Sequence, residues 1–520
     1  MANRGDPDSG MSLFRQRVRD GSRPNPEPWW LDPSRGAAGW WERSPAPDAV
    51  PHDTRTSTRP SAEPSAAPAV PSRRGLGPAF VAALAVLAVL MVTAHVADIP
   101  QLSRVLVPVV GLFGTIGFAR WLQPRHPDEP WLGRLLILGV LVKIGGTVLR
   151  YVTLLKKGQL GDASVYDQFG LRYANAWLGK TGVTAPVLVN LKSSNFLRWF
   201  TGIVYYLFGR DLIAGFFVYS LIAFAGSYLW YRAAVIAVPY LDRKLFFILI
   251  TFAPSIVFWP AGVGKEALMQ FGLGAIALGV AYMLTGRMLY GLLVSLPGAY
   301  LTLVVRAHLL GLALLAMAFA YVLGRQRLTA TAKSSLAKPV GIVVVVLLAA
   351  FGVTQGAKRL HIATLSPSAI QSQLEATSVS TTQGHSGFST NVSLSPLRLP
   401  QDAVTVLLRP FPWEVQTKNQ ILASLEGIGL VGFILLRRRS LALSLRLIRQ
   451  VPFLFYAWVL TLLYVLLFQA FGNFGLLVRE RSIVLPALYV LLALDVRLAT
   501  HTQTAQREDR GWHETESPWV

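Results

Sequence analysis

Residues able to do chemistry occur in a few short polar stretches set against long apolar ones. The first is Gly161-Asp162-Ala163-Ser164-Val165-Tyr166-Asp167, just after the apolar run Leu135 to Leu155. Two carboxylates beside a hydrophobic span are costly to hold unless their charge is used. Lys265-Glu266, Arg306 with His308, Arg409-Pro410-Phe411-Pro412-Trp413-Glu414 and Arg479-Glu480-Arg481 have a similar setting beside apolar runs. Arginine and lysine hold a phosphate or diphosphate at headgroup level through bidentate or point-charge contacts. An adjacent carboxylate can take a proton from a sugar hydroxyl, or help bind a divalent cation that neutralises a departing phosphate. Such groups suit a sugar transfer from a lipid-phosphate donor.

Taken singly, each stretch has a plainer reading. Glu266 at a helix start is favoured by the helix dipole, and Lys265 can pair with it. Arg306 can anchor at the interface, and His308 can be a hydrogen-bonded helix-end residue. Arg479-Glu480-Arg481 can satisfy its own charges. The functional argument is their convergence on one face. Gly262-Val263-Gly264-Lys265 lacks the spacing of a phosphate loop, since Trp259 stands where a glycine is required and Glu266 replaces the Ser/Thr. Asn391-Val392-Ser393 matches a glycosylation acceptor that arises often by chance. His361 and His385 lack metal-ligand spacing.

The elements that must position these groups are membrane spans. Of 520 residues 52% are hydrophobic and only 15% charged, which describes an all-α polytopic membrane protein. The absence of cysteine excludes disulfides, thiolate nucleophiles and Cys-built metal sites. The net charge of +22 lies mostly in short loops, where it sets orientation and meets anionic membrane lipids; no nucleic-acid partner is implied.

Residues 1–76, rich in Pro, Ser, Arg and Asp, read as a disordered cytosolic tail without a signal peptide. Spans of about 20 residues are expected at 78–96, 103–119, 134–155, 211–231, 245–262, 267–285, 288–305, 308–324, 339–357, 418–436, 451–471 and 482–498. The amphipathic stretch 195–208 is too short to cross comfortably and is read as interfacial. This gives a twelve-span domain over 77–498, with outer loops 156–210 and 358–417 and a cytosolic tail 499–520. Every inner loop is then basic, as with Arg232, Arg243 and Lys244, or Arg437, Arg438 and Arg439. An extra crossing at 195–208 would carry all later basic clusters to the outer face. The expected location is the cytoplasmic membrane.

From Gly161 to about Leu284 the order of features resembles the GT-C superfamily of polytopic glycosyltransferases that use polyprenyl-phosphate sugars, in its protein-mannosyltransferase-like and lipid-A-arabinose-transferase-like branch. The matching pieces are Gly161 to Tyr166, Asn195-Phe196-Leu197-Arg198-Trp199 through Leu207-Phe208-Gly209-Arg210-Asp211, Pro254-Ser255 within a span, and Lys265-Glu266-Ala267-Leu268. The resemblance implies a polyprenyl-phosphate-linked sugar donor and a glycan or lipid acceptor of the cell envelope. It makes Asp162 the catalytic acidic residue, acting as base or metal-assisted base, and Glu266 a second acidic group of the site. Topology adds Tyr166, Asp167, Lys265, Arg306, His308, Arg409, Arg479 and Arg481 as substrate contacts. The chain departs from the family in having its first sizeable outer loop after the third span and no large soluble C-terminal domain. O-antigen-polymerase-like proteins are the alternative, with Arg409, Arg479 and Arg481 gripping a lipid diphosphate. A transporter or flippase is the third reading, for which Lys143 is the clearest intramembrane charge.

Overall fold

A computed structural model describes residues 99–500, apart from 157–160, 189, 325–336, 363 and 383–385, with isolated positions between 85 and 93. The N-terminal tail, nearly all of 499–520, most of the expected span 78–96, and His385 lie outside the described residues. The described chain forms helices and no β-strand; all of it falls in one compact unit, Ser72–Val520.

In chain order the helices are α1 (Pro100–Leu122), α2 (Leu132–Lys156), α3 (Asp162–Trp177), α4 (Ser194–Phe208), α5 (Leu212–Ala237), α6 (Arg243–Phe252) and α7 (Pro254–Phe258). There follow α8 (Lys265–Leu284), α9 (Met288–Leu323), α10 (Ala337–Arg359), α11 (Pro367–Thr381) and α12 (Leu399–Leu408). The last are α13 (Lys418–Leu436), α14 (Arg438–Arg446), α15 (Pro452–Phe468) and α16 (Phe474–Leu492). Among the described residues six helices, α1, α2, α5, α8, α9 and α10, are long and apolar enough to cross a membrane. The pair α13 and α14, bent by 62°, makes a seventh if counted as one span.

Four expected spans take a different form. The stretch 245–262 divides into α6 and α7, because Pro254 has no N–H to continue the ladder. The stretches 288–305 and 308–324 share α9, two helices that meet at Arg306, where φ is −146° and ψ is 75°. The stretch 482–498 begins earlier, at Phe474, so Arg479-Glu480-Arg481 lie inside a helix and not in a turn. α15 is a 17-residue apolar helix, and α4, at 15 residues, is shorter than the spanning helices.

Lipid tails give helices no hydrophobic reason to associate, so close packing through small residues must hold them together. A Cβ on Gly274 of α8 would lie 2.4 Å from the carbonyl oxygen of Gly226 in α5. Gly279 meets Gly291 and Gly272 meets Gly298 in the same way, seating the first arm of α9 on α8. The second arm packs on α10 through Gly311 and Gly352, and its end, at Gly324, reaches Pro452 at the start of α15. Arg306 is therefore the corner between two differently packed arms.

The segment before α5 is a helical pair. Gly170 of α3 admits Thr201 of α4, and Gly202 of α4 admits Tyr173 and Trp177. Tyr205 donates to Asp167 Oδ1 at 2.6 Å, and the Thr201 and Tyr219 hydroxyls lie 2.9 Å apart, joining α4 to α5. The loop 358–417 packs on the α15–α16 turn through Phe388 N to Gly472 O (2.8 Å) and the Gln469–Ser393 contacts.

Candidate functional site

The site is built where α8 begins. Gly264 caps the helix without a side chain, and the loop before it, Pro260 to Gly264, is buried. Irregular backbone at membrane depth is tolerated only when protein encloses it. Glu266, in the first turn, is fully buried. Its Oε1 accepts from an Arg306 terminal nitrogen at 3.2 Å and makes an ion contact of 2.7 Å with Arg479 Nε. The other terminal nitrogen of Arg306 pairs with Glu480. Positive and negative groups thus alternate, Arg479–Glu266–Arg306–Glu480, across α16, α8 and the α9 corner. A buried charge left alone costs several kcal/mol, and in this alternation each buried group faces one of opposite sign.

Other charges surround the chain of ion pairs. Arg150 of α2 is buried within electrostatic reach of Glu266 and Arg479, and its guanidinium lies over the rings of Phe258 (5.7 Å) and Trp259 (5.6 Å). Asp162 is exposed in the first turn of α3, and its charge reaches Tyr166, Lys265 and Arg479. Tyr166 is buried with its hydroxyl 3.4 Å from Ser194 Oγ, and Lys265 is half-buried. His308, two residues past the corner, is within reach of Arg306 and Lys265 and packs beside Phe468. Asp162, Tyr166, Lys265, Glu266, Arg306, His308 and Arg479 therefore share one neighbourhood.

Three expected site residues are engaged elsewhere. Asp167 turns to Tyr205; burial pushes its carboxyl above the ordinary carboxylate range, and the hydroxyl's hydrogen bond opposes that in part. Arg409 forks onto Glu414 and stacks 4.2 Å from the Phe388 ring centre. Arg481 is buried, giving one nitrogen to Glu426 at 2.9 Å and another to the Leu407 carbonyl at 2.8 Å. Self-pairing within Arg479-Glu480-Arg481 does not occur: successive helical residues point about 100° apart, and each finds a partner on another element.

Sequence reasoning missed Arg150 and Glu426. Glu426 accepts from both the backbone N–H (2.8 Å) and the hydroxyl of Ser255, binding the start of α7 to Arg481. A signal for Arg150 existed: with Lys143 it stands at i, i+7 on one face of α2. Both donate to carbonyls of α7, Lys143 to Ile256 O at 2.5 Å and Arg150 to Phe258 O at 3.0 Å. Lys143 thus compensates a broken span. The carboxylates at the centre are occupied by arginines, and among the described residues no three His, Asp or Glu gather to hold a metal. This donor set does not suit a divalent cation.

Compared with protein-family models, curated proteins and solved structures, the chain matches none.

Proposed function

We propose that the protein is a membrane glycosyltransferase that moves a sugar from a polyprenyl-phosphate donor to an envelope glycan or lipid acceptor on the extracytoplasmic face. The observation that supports this most is an exposed carboxylate, Asp162, beside a half-buried lysine and arginines held rigid by buried carboxylates. In this reading Lys265 and Arg479 contact the donor phosphate. Arg479 suits that role better than Arg306, since its side chain is 22% exposed against 11%. Asp162 takes the proton of the acceptor hydroxyl as its oxygen bonds to the sugar C1, while the C1–O bond breaks and the phosphate leaves with the electron pair. Glu266, expected as a second catalytic acid, is enclosed by two arginines and serves to position them. The finer topology remains twelve spans with both termini inside, the two arms of α9, the α6–α7 pair, α13, α15 and α16 each crossing.

The polymerase reading needs Arg409, Arg479 and Arg481 on a lipid diphosphate, yet Glu414 and Glu426 hold two of the three. The transporter reading leaned on Lys143, whose charge is directed to the Ile256 carbonyl. Mass spectrometry of lipid-linked sugars tests the choice. Cells lacking the protein, or carrying Asp162→Asn, should accumulate a polyprenyl-monophosphate monosaccharide. Accumulation of complete diphosphate-linked repeat units, reproduced by Arg479→Ala, would replace the transferase with a polymerase.

A further inference from the structure

We infer that α14 and the turn after it lie in the interface and dock on anionic phospholipid headgroups through Arg438, Arg439 and Arg446 of the helix and Arg449 of the turn. The outward stripe of α13 is apolar along its length, with Ile421, Leu425, Ile428, Leu435 and Leu436 exposed, the last at 82%. Immediately after it the chain bends by 62°. The exposed surface then switches to arginine: Arg438, Arg439, Arg446 and Arg449 all face outward, beside Leu445 at 51% exposure. In a membrane protein an apolar lipid-facing stripe that ends at a basic turn marks the edge of the hydrocarbon layer, where phosphates lie.

The inward face of α14 is fixed by the protein itself. Ser440 and Ser444, at i and i+4, are buried, with Ser440 Oγ donating to the Leu494 carbonyl at 2.8 Å and Ser444 Oγ accepting from the Trp458 indole at 3.0 Å. Arg437 is spent in the same anchor, donating to the carbonyls of Leu492 (2.9 Å) and Leu494 (2.7 Å). The four outward guanidinium groups have no hydrogen-bond or ion-pair partner among the described residues. No acidic residue occurs between Glu426 and Glu480 to supply one. Three planar forks on the helix and a fourth on the turn after it, at phosphate depth, fit the charge and geometry of anionic headgroups. On the orientation proposed above this is the inner leaflet, and the inference does not depend on which sugar the protein handles.

The test is native mass spectrometry of the purified full-length protein titrated with phosphatidylglycerol or phosphatidylcholine. Phosphatidylglycerol should be retained in preference, and each Arg→Gln change at 438, 439, 446 or 449 should weaken its retention by roughly fivefold. Arg438→Lys with Arg446→Lys, which keeps the charge and guards against a folding defect, should retain most of the binding. Gln at Arg120 and Arg287, basic residues away from α14, should leave retention unchanged. Equal retention by the fourfold Gln variant would overturn the inference, as would an equal loss from the Arg120 and Arg287 changes, which would mean diffuse attraction. Displacement of the lipid by inorganic phosphate at matched concentration would overturn it too, by indicating an anion site with no lipid component.

Discussion

Glu266 holds two arginines, so its removal leaves two buried cations with one counter-ion between them. Glu266→Gln should therefore cost about 3–5 kcal/mol, read as a lowered unfolding midpoint in detergent. Adding Arg479→Gln should cost less than the sum of the two single changes, because it removes one of the stranded charges. Additive losses would mean that the contact carries no net coupling. A second residue-scale prediction concerns pH. Burial raises the Asp167 carboxyl above its ordinary value of 3.8, so between the two values the folded state binds more protons than the unfolded one. Stability contributed at this site is thus greatest at low pH and falls as pH rises from about 3.8 through the raised value. Asp167→Asn keeps an acceptor for Tyr205 and should flatten that part of the curve, leaving the variant the more stable at neutral pH. Unfolding curves of the two proteins between pH 4 and 7 would reveal it, and parallel curves would refute it. The candidate groups Asp162, Lys265, Glu266, Arg306 and Arg479 could be read from the sequence because each stands next to an apolar run. Their pairings could not, since Arg306 and Glu480 lie 174 positions apart and nothing local specifies which carboxylate an arginine will meet.

At the scale of elements, the long helices were legible through apolar length, whereas 245–262 read as one span and the structure divides it at Pro254, which has no N–H to continue the ladder. What local pattern could not show is how close the helices come. Gly274 and Gly145 look alike in sequence, each a glycine within an apolar run, yet a Cβ on Gly274 would meet the Gly226 backbone at 2.4 Å and one on Gly145 would meet nothing within 4 Å. Backbone cannot swing aside as a side chain can. Gly274→Ala should accordingly cost about 1–3 kcal/mol through overpacking of α5 against α8. Gly145→Ala should be neutral or stabilising by up to about 1 kcal/mol, the gain from helix propensity. The folded fraction remaining after heating in detergent distinguishes the two; a Gly274→Ala protein as robust as the parent would mean that α5 and α8 separate without penalty. The same logic limits what apolar length says about α9. Hydropathy supports two helices there, and the non-helical backbone at Arg306 separates them, but only the packing shows that the first arm seats on α8 and the second on α10.

For the whole molecule, the decisive property is which side of the membrane each cluster faces, and here the sequence speaks through charge alone. In the topology proposed above the basic loops put Arg438 inside and Asp162 outside, provided that α4 does not cross. Its 15 residues, its glycine-mediated fit to α3 and the Tyr205–Asp167 bond all suit a helix that stays with its partner at the surface. The chain has no cysteine, so a single one can be introduced at position 162 or at 438, both exposed, and offered a membrane-impermeant thiol reagent in intact cells. Labelling is expected at 162 only, with 438 reacting once the cells are permeabilised. Labelling at both in intact cells would mean one further crossing between them, with α4 the obvious candidate, and would carry α14 to the outer leaflet. Labelling at 438 alone would invert the bundle, turn the Glu266 network toward the cytosol and remove the topological reason for a lipid-borne sugar donor, and with it the transferase reading.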